Sequence, residues 1–242
     1  MKIQNRIAIV TGAAGGIGRA TAKQLAKSGA EAVILSDIDQ GGLEEVAWIL
    51  AEFNCETVNI ATDVTDYAQL EELYEQTHQR FGRVDIVFNN AGITSGPPGF
   101  PQTPVERVRQ VIDLNLVSVL LSTQLAITRM QKQGGGVIIN NSSLFAIEPF
   151  FYDAVYSASK AGVLNLTRCC EGLEASDNIR VRVICPGITN TPLLNRDSGD
   201  TPEQVQERLT SITLLEPIDV ARGVVRLIED DDYTELELIL RN

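Results

Sequence analysis

Histidine is nearly missing from this chain: His78 is the only one in 242 residues. Ser–His–Asp chemistry therefore has a single candidate base. It lies in the polar stretch Glu75–Arg80, the pattern of a surface helix rather than of a site. Metal donors are equally short. The four cysteines, at 55, 169, 170 and 185, show no ligand spacing, so no metal site is expected. Cys169 and Cys170 are adjacent in a helical pattern that does not suit a disulfide, and buried, reduced thiols are expected. Basic residues are few, 20 Lys and Arg against 32 Asp and Glu, for a formal charge of −12. That balance argues against an electrostatic grip on nucleic acid or an anionic membrane. The acidic run Glu229–Asp232 reads as a solvated helix end. The apolar runs are broken by polar residues well short of a membrane span. Met1–Arg6 leads straight into a strand-like run, which leaves no room for a signal peptide, and a cytoplasmic setting is expected.

What is present is an alternation of strand and helix. Hydrophobic residues make up 44% of the chain, enough to fill the core of one domain spanning 1–242. Candidate strands are Arg6–Val10, Ala32–Asp37, Thr57–Ala61, Val84–Asn89, Gly136–Asn141, Arg180–Cys185 and Leu236–Leu240. Their nearly continuous β-branched runs suit strands covered on both faces. With helical patterns between them, the expected fold is α/β: one doubly wound parallel sheet of about seven strands, helices on both faces, ligands at the carboxyl ends. Gly92–Thr103 and Ile188–Thr213 read as irregular segments able to border a pocket.

The first strand passes directly into Thr11-Gly-Ala-Ala-Gly-Gly-Ile-Gly18 and then into a helical pattern. Strand, glycine turn and helix together point backbone N–H groups at a phosphate. The spacing of Gly12, Gly16 and Gly18 is not G-x-G-x-x-G, so by itself the run fits a ligand turn or a plain loop equally well. Asp37, ending the second strand about twenty residues on, tips the balance, because a carboxylate there meets the adenosine ribose hydroxyls.

A second pattern lies at Tyr156-Ser-Ala-Ser-Lys160. Residues four apart share one helix face, so a phenol and an ammonium stand side by side. Bringing a tyrosine from pH 10 to neutrality takes roughly 4 kcal/mol. A unit charge about 4 Å away supplies about that much at an effective dielectric near 20. Alone the pair is weak, since many surface helices carry Tyr and Lys at this spacing. Exchange of a hydride between an alcohol and a nicotinamide needs a base for the hydroxyl proton and a donor for the developing carbonyl. Tyr156 is the candidate base, Lys160 the group that lowers its pKa and binds the nicotinamide ribose, and Ser143, after the fifth strand, the donor.

Taken in order, Thr11–Gly18, Asp37, Asp63-Val64, Asn89-Asn-Ala-Gly92, Asn115, Ser142-Ser143, Tyr156 with Lys160, and Pro186-Gly187 resemble the short-chain dehydrogenase/reductase family from about Arg6 to the last strand. The resemblance selects Ser143 over Ser142, being thirteen positions before the tyrosine. It implies a proton relay through a water held by the backbone of Asn115; read without it, Asn115 is a polar residue bending a long helix. For the cofactor it implies Gly12, Gly16, Ile17 and Gly18 at the phosphates, with Asp37 and Ile38 at the adenosine ribose. Asp63 and Val64 would bracket the adenine, while Asn90, Ala91 and Gly92 line the ribose. Tyr156, Lys160, Gly187, Thr189 and Thr191 complete the nicotinamide end. Ile184–Thr191 and Ala221–Asp231 are similar to one NAD-dependent branch of that family. There an amide stands at the position of Asp153 and helps hold substrate.

NAD is the expected cofactor, since the residues near Asp37 are Ala13, Ala14, Ile38 and Asp39, with no base to receive a 2′-phosphate. The expected substrate is a secondary alcohol or ketone of apolar or elongated shape, facing Phe145, Phe150, Phe151, Tyr152, Leu193 and Leu194. Asp153 is expected to repel an acidic substrate or bind a hydroxyl. Pro104–Lys132 and Ala154–Asp177 carry more apolar residues than one buried face needs, among them Val111, Leu114, Leu116, Val119, Leu120, Leu121, Leu125, Val163, Leu164 and Leu166. A homodimer or homotetramer is therefore expected, with no nucleic-acid or membrane partner.

Overall fold

The computed structural model describes residues 1–196 and 213–242. Seven parallel strands form one sheet in the order β3-β2-β1-β4-β5-β6-β7. They are β1 (Ile7–Thr11), β2 (Ala32–Asp37), β3 (Glu56–Ala61), β4 (Ile86–Asn89), β5 (Gly136–Asn141), β6 (Ile179–Pro186) and β7 (Glu237–Leu240). Each lies within two residues of its expected place, and β2 and β5 coincide with it. The strands β1, β2, β4, β5 and β6 are buried almost throughout, as strands covered on both faces must be, whereas the edges β3 and β7 are half-exposed.

Helices cover both faces. The described ones are α1 (Gly16–Lys27), α2 (Gln40–Leu50), α3 (Tyr67–Phe81), α4 (Val105–Ile112), α5 (Ser118–Gln133), α6 (Ala154–Cys169), α7 (Leu173–Asp177), α8 (Pro192–Arg196) and α9 (Pro217–Glu229). One core packs α1, α2 and α9 against one side of the sheet; the other packs α3 and α5 against the opposite side. Strand order reverses between β1 and β4, and the crevice at their carboxyl ends is where such folds take a ligand. A buried polar layer supports that crevice: Asn89 donates to Asn140 at 2.9 Å, Ser122 to Asn89 at 2.6 Å, and Asn140 to Thr167 at 3.0 Å.

Two long helical stretches differ from expectation. Val105–Gln133 is continuous but passes through a π turn, Asp113–Val117, centred on Asn115. By length and composition, with a hydropathy of 1.6, this is the one described helix able to cross a membrane. The polar residues expected to interrupt it do not. It packs against β4, β5 and α6 as a core helix does. The second stretch breaks after Cys169 and resumes as α7.

The apolar surplus on these helices is largely internal. Val111, Val119, Leu125, Val163 and Leu164 are buried within the chain, and Leu116 packs over Gly162, where a Cβ would lie 2.8 Å from its methyl. On this face Val117 (37%) and Leu120 (40%), one turn apart, remain exposed, with Val105 beyond them. The thiols also depart in part from expectation: Cys170 and Cys185 are buried, Cys55 is half-buried and Cys169 is exposed; all four are free. Among the described residues no cluster of His, Cys, Asp and Glu could hold a metal ion. Of the expected irregular segment 188–213, residues 197–212 lie outside the described residues.

Candidate active site

The glycine turn is shaped by close approach. Gly12 and Gly16 have φ of +64° and +53°, in the left-handed region that glycine adopts without strain. A Cβ on Gly18 would stand 2.0 Å from the Gly12 carbonyl oxygen, so only glycine lets α1 start this near β1. Gly15 at the N-cap brings no side-chain acceptor to the first turn, which leaves its N–H groups for an anion. Asp37 closes the other side: its carboxylate accepts from Ala14 N–H at 3.1 Å and from Asp39 N–H at 3.1 Å. Ile38 beside it is 73% exposed, and Val64 is buried beneath the β3 end. Asp63 accepts from Thr65 N–H at 2.9 Å and from its hydroxyl at 2.6 Å. This is a cradle with the shape and donors a dinucleotide requires. The residues present fit that group.

Asn90 also has a structural part. Its side-chain amide donates to the Thr11 and Gly12 carbonyls at 3.0 and 3.2 Å and accepts from Asn141 at 2.9 Å. The side chain thus ties the turn together, and the backbone is what it leaves for a ligand. Thr11 completes the tie, its hydroxyl accepting from Asn90 and Ala91 N–H at 3.0 and 3.2 Å. Sequence reasoning passed over Thr11 and Asn141 as site residues. The signal was there in a threonine opening the glycine run and in two successive asparagines ending β5.

At the other end of the crevice the structure brings Asn115, Ser143, Tyr156 and Lys160 together. Ser143 starts a short turn after β5, accepts from Phe145 N–H at 3.1 Å, and places its hydroxyl where it acts on the Tyr156 phenol. Ser142 faces away and donates to the Lys160 carbonyl at 2.7 Å. The Lys160 ammonium, buried, donates to the Asn141 carbonyl at 2.8 Å and lies 5.7 Å from the Tyr156 ring centroid. Gly92 stands opposite: a Cβ there would be 3.3 Å from Asn115 Oδ1 and 3.5 Å from Lys160 Nζ. Asn115 is buried and exchanges hydrogen bonds with the Ile93 backbone at 2.9 and 2.8 Å, and donates to Ser159 at 3.1 Å.

The electrostatics run against the expected lowering of the tyrosine. Burial pushes the Tyr156 phenol up to about 12; the nearby Ser143 hydroxyl draws it down, and the Asp153 charge pushes it further up. Burial likewise lowers Lys160 to about 8. The lysine is spent on a backbone carbonyl, and desolvation is the largest cause of both shifts.

The loop after β6 returns to the glycine turn. Thr191 packs on Gly16, its methyl 3.2 Å from where a Cβ would be. Thr189 is buried and bridges to Leu215. Gly187 leaves room for Asn242, whose side chain accepts from Ile188 N–H at 2.7 Å and donates to Thr213 O at 2.9 Å. Aromatic rings gather at the mouth: Phe145 stacks on Phe150 at 5.4 Å, Phe150 meets Tyr152 at 6.1 Å, and Phe151, 71% exposed, meets Phe100 edge-on at 5.8 Å. Leu193 and Leu194 are half-buried on α8.

Comparison with known proteins decides the family. The profile for short chain dehydrogenases matches residues 6–201. This chain belongs to the short-chain dehydrogenase family. It is 36% identical to cis-4-hydroxycyclohexanecarboxylate dehydrogenase of Sinomonas cyclohexanicum over 93% of this chain and 90% of that one. It is 33% identical to human 15-hydroxyprostaglandin dehydrogenase [NAD(+)] over 96% of this chain and 89% of that one. The solved structure of a levodione reductase, 30% identical, superposes with a TM-score of 0.90 and covers 98% of this chain and 95% of its own. This short-chain dehydrogenase is accordingly an oxidoreductase that works between hydroxyl and keto groups with a nicotinamide cofactor.

Proposed function

We propose that this short-chain dehydrogenase is a cytoplasmic, NAD-dependent enzyme in which one domain, 1–242, oxidises a secondary alcohol or reduces the matching ketone. The observation that carries this reading is the convergence of Ser143, Tyr156 and Lys160 opposite Gly92, at the end of the crevice that begins with the glycine turn. In the proposed arrangement Gly12, Gly16, Ile17 and Gly18 hold the phosphates, and Asp37 and Ile38 the adenosine ribose. Asp63, Val64 and the backbone of Asn90, Ala91 and Gly92 border the adenosine, and Gly187, Thr189 and Thr191 the nicotinamide end. A nicotinamide bound there supplies the acceptor or donor of the hydride. The chain supplies the proton chemistry.

In oxidation the Tyr156 phenolate takes the hydroxyl proton while Ser143 donates to the same oxygen as it becomes a carbonyl. In reduction the neutral phenol, the form burial favours at pH 7, gives that proton back. Lys160 holds positive charge beside the phenol, and Asn115 fixes the Ile93 backbone next to Gly92, which lies opposite the lysine. The exposed rings at the mouth favour an apolar substrate. Val105, Val117 and Leu120, exposed along the α4–α5 stretch, offer apolar surface for a homodimer or homotetramer.

Turnover of NAD and NADH with a panel of secondary alcohols and ketones tests this reading. Reduction or oxidation of at least one apolar member, abolished by Tyr156→Phe, is the expected result. A panel without any turnover, in a protein that binds NADH, overturns it in favour of a nucleotide-binding protein without catalysis.

A further inference from the structure

Asp153 has no place in the proton chemistry above, yet it ties the start of α6 to the loop that follows β4. It caps α6, its Oδ1 accepting from the Tyr156 backbone N–H at 3.3 Å. The same carboxylate accepts from the Ser95 N–H, 3.3 and 3.2 Å from its two oxygens. Ser95 is buried, and it lies in the irregular stretch that follows β4 and ends at Pro104. The carbonyls of Thr94 and Ser95 are themselves held by Arg107 of α4, at 2.6 and 3.0 Å. A second latch lies beside the first. Phe100 N–H donates to Tyr152 O at 2.9 Å, and the Tyr152 ring fills the space over Gly99, 2.5 Å from where a Cβ would stand. The segment carrying Asp153 and the wall of the pocket therefore meet along a line of contacts, and Asp153 is the charged member of that line.

We propose that Asp153 is a positioning residue that couples the wall of the substrate pocket to the catalytic helix, its one carboxylate holding the backbone amides of both Ser95 and Tyr156. This rests on the reading of Tyr156 as the residue that moves the proton. Two amides on one acceptor fix the start of α6 against the loop, so the phenol and the pocket wall keep one mutual geometry. An ionised acceptor makes each of these bonds stronger than a neutral one.

The charge has a second effect. Tyr156 is faced by Asp153 from the preceding turn, Lys160 from its own helix, Ser143 after β5 and Cys185 from β6. The loop from Ala91 to Pro104 contains no titratable residue, and the π turn offers it the neutral Asn115. Burial pushes the Cys185 thiol up to about 11, so it stays neutral well above pH 7. Asp153 is left as the negative charge that opposes the phenolate. Its removal must ease ionisation of Tyr156.

The test uses Asp153→Asn, which keeps an oxygen acceptor and loses the charge, and Asp153→Ala, which loses both. Tyrosinate absorbance near 295 nm, taken as each protein minus its own Tyr156→Phe counterpart, isolates the Tyr156 titration without substrate. In Asp153→Asn the midpoint should fall below that of the unaltered chain, and the rising limb of alcohol oxidation should move to lower pH with it. Hydrogen exchange at the Ser95 and Tyr156 amides should quicken about tenfold or more in Asp153→Ala, and KM should rise about tenfold. An unchanged midpoint in Asp153→Asn, or unchanged exchange at both amides in Asp153→Ala, overturns the proposal. If the unaltered chain turns over no alcohol or ketone, the functional reading fails by itself, while titration and exchange still decide the role of Asp153.

Discussion

The Ser142 hydroxyl donates to the Lys160 carbonyl at 2.7 Å, whereas that of its chain neighbour Ser143 stands where it draws the Tyr156 phenol toward ionisation. Two adjacent serines thus serve opposite ends of one catalytic turn. In the proposed arrangement Ser143 reaches the reacting oxygen, while Ser142 anchors the helix that carries the lysine. Ser143→Ala is expected to lower kcat by about a hundredfold or more, the usual loss of a donor to a developing charge. Ser142→Ala should leave kcat within a few-fold and lower the melting temperature instead. Steady-state kinetics and thermal unfolding of the two variants separate the roles; equal loss of rate in both would assign them wrongly.

Tyr156→Phe keeps the ring and removes the proton acceptor. Cofactor affinity should survive, and turnover should fall toward the upper part of the hundred- to ten-thousand-fold range of acid–base catalysis. A rate above about a tenth of the unaltered enzyme would place the base elsewhere.

Much of this was legible beforehand, and the limits have physical causes. The seven strands show in sequence because a buried parallel strand needs an apolar run whatever surrounds it. Only their ends shift, as with Val84 and Asp85, which precede β4 rather than join it. The close approach at Gly12 and Gly18 and the nearness of Tyr156 and Lys160 were legible because tight turns restrict residue type and helix spacing sets which side chains meet. The assignment of Leu125 or Val163 to an outer surface failed for a different reason. A helix packed between a sheet and a second helix buries more than one face, and a count of apolar residues cannot say which neighbour covers which. The direction of the Tyr156 shift also escaped, because spacing along a helix reports proximity to Lys160 but not desolvation of both groups.

The buried lysine gives a stability prediction with a definite sign. An exposed lysine titrates near 10.4, whereas Lys160 is held at about 8. Between these values the unfolded chain binds more protons, so this group makes stability rise with pH from about 8 to about 10.5. Below that window the ionised, buried side chain costs roughly 3 kcal/mol. Against this stands a single hydrogen bond to Asn141 O, worth about 1 kcal/mol. Lys160→Met should therefore melt higher than the unaltered chain at pH 7, with the gap narrowing by pH 9.5, although its turnover is lost. A gap that widens with pH would show that Lys160 is not destabilised by burial.

The glycine turn separates two substitutions by the room each new methyl would find. Gly18→Ala sets a methyl 2.0 Å from a main-chain oxygen that has nowhere to retreat, while a Cβ on Gly15 meets nothing within 4 Å. Gly18→Ala is expected to cost about 1–3 kcal/mol of stability, as overpacking does, and to abolish NADH binding. Gly15→Ala should stay within about 1 kcal/mol, its extended backbone being open to any residue. Thermal unfolding with and without NADH makes the comparison.

In the proposed arrangement cofactor choice turns on Asp37. Its carboxylate ends β2, is oriented by the Ala14 and Asp39 amides, and retains lone pairs for the ribose hydroxyls of NAD. A 2′-phosphate would remove one hydroxyl and set like charges together, with no basic side chain among Ala13, Ala14, Ile38 and Asp39 to receive it. A penalty of roughly 3 kcal/mol corresponds to about a hundredfold preference for NAD. Asp37→Asn isolates the charge, because an amide oxygen still accepts one of those backbone N–H groups. It should bring the two cofactors to within about tenfold of each other, mainly through better use of NADP. Asp37→Ala should narrow the ratio further and also loosen the turn at Ala14, lowering affinity for both. The measurement is kcat/KM for NAD and NADP on the three proteins at fixed ionic strength. If the unaltered enzyme uses both cofactors equally, or if the ratio in Asp37→Asn matches it, the selectivity lies with another residue.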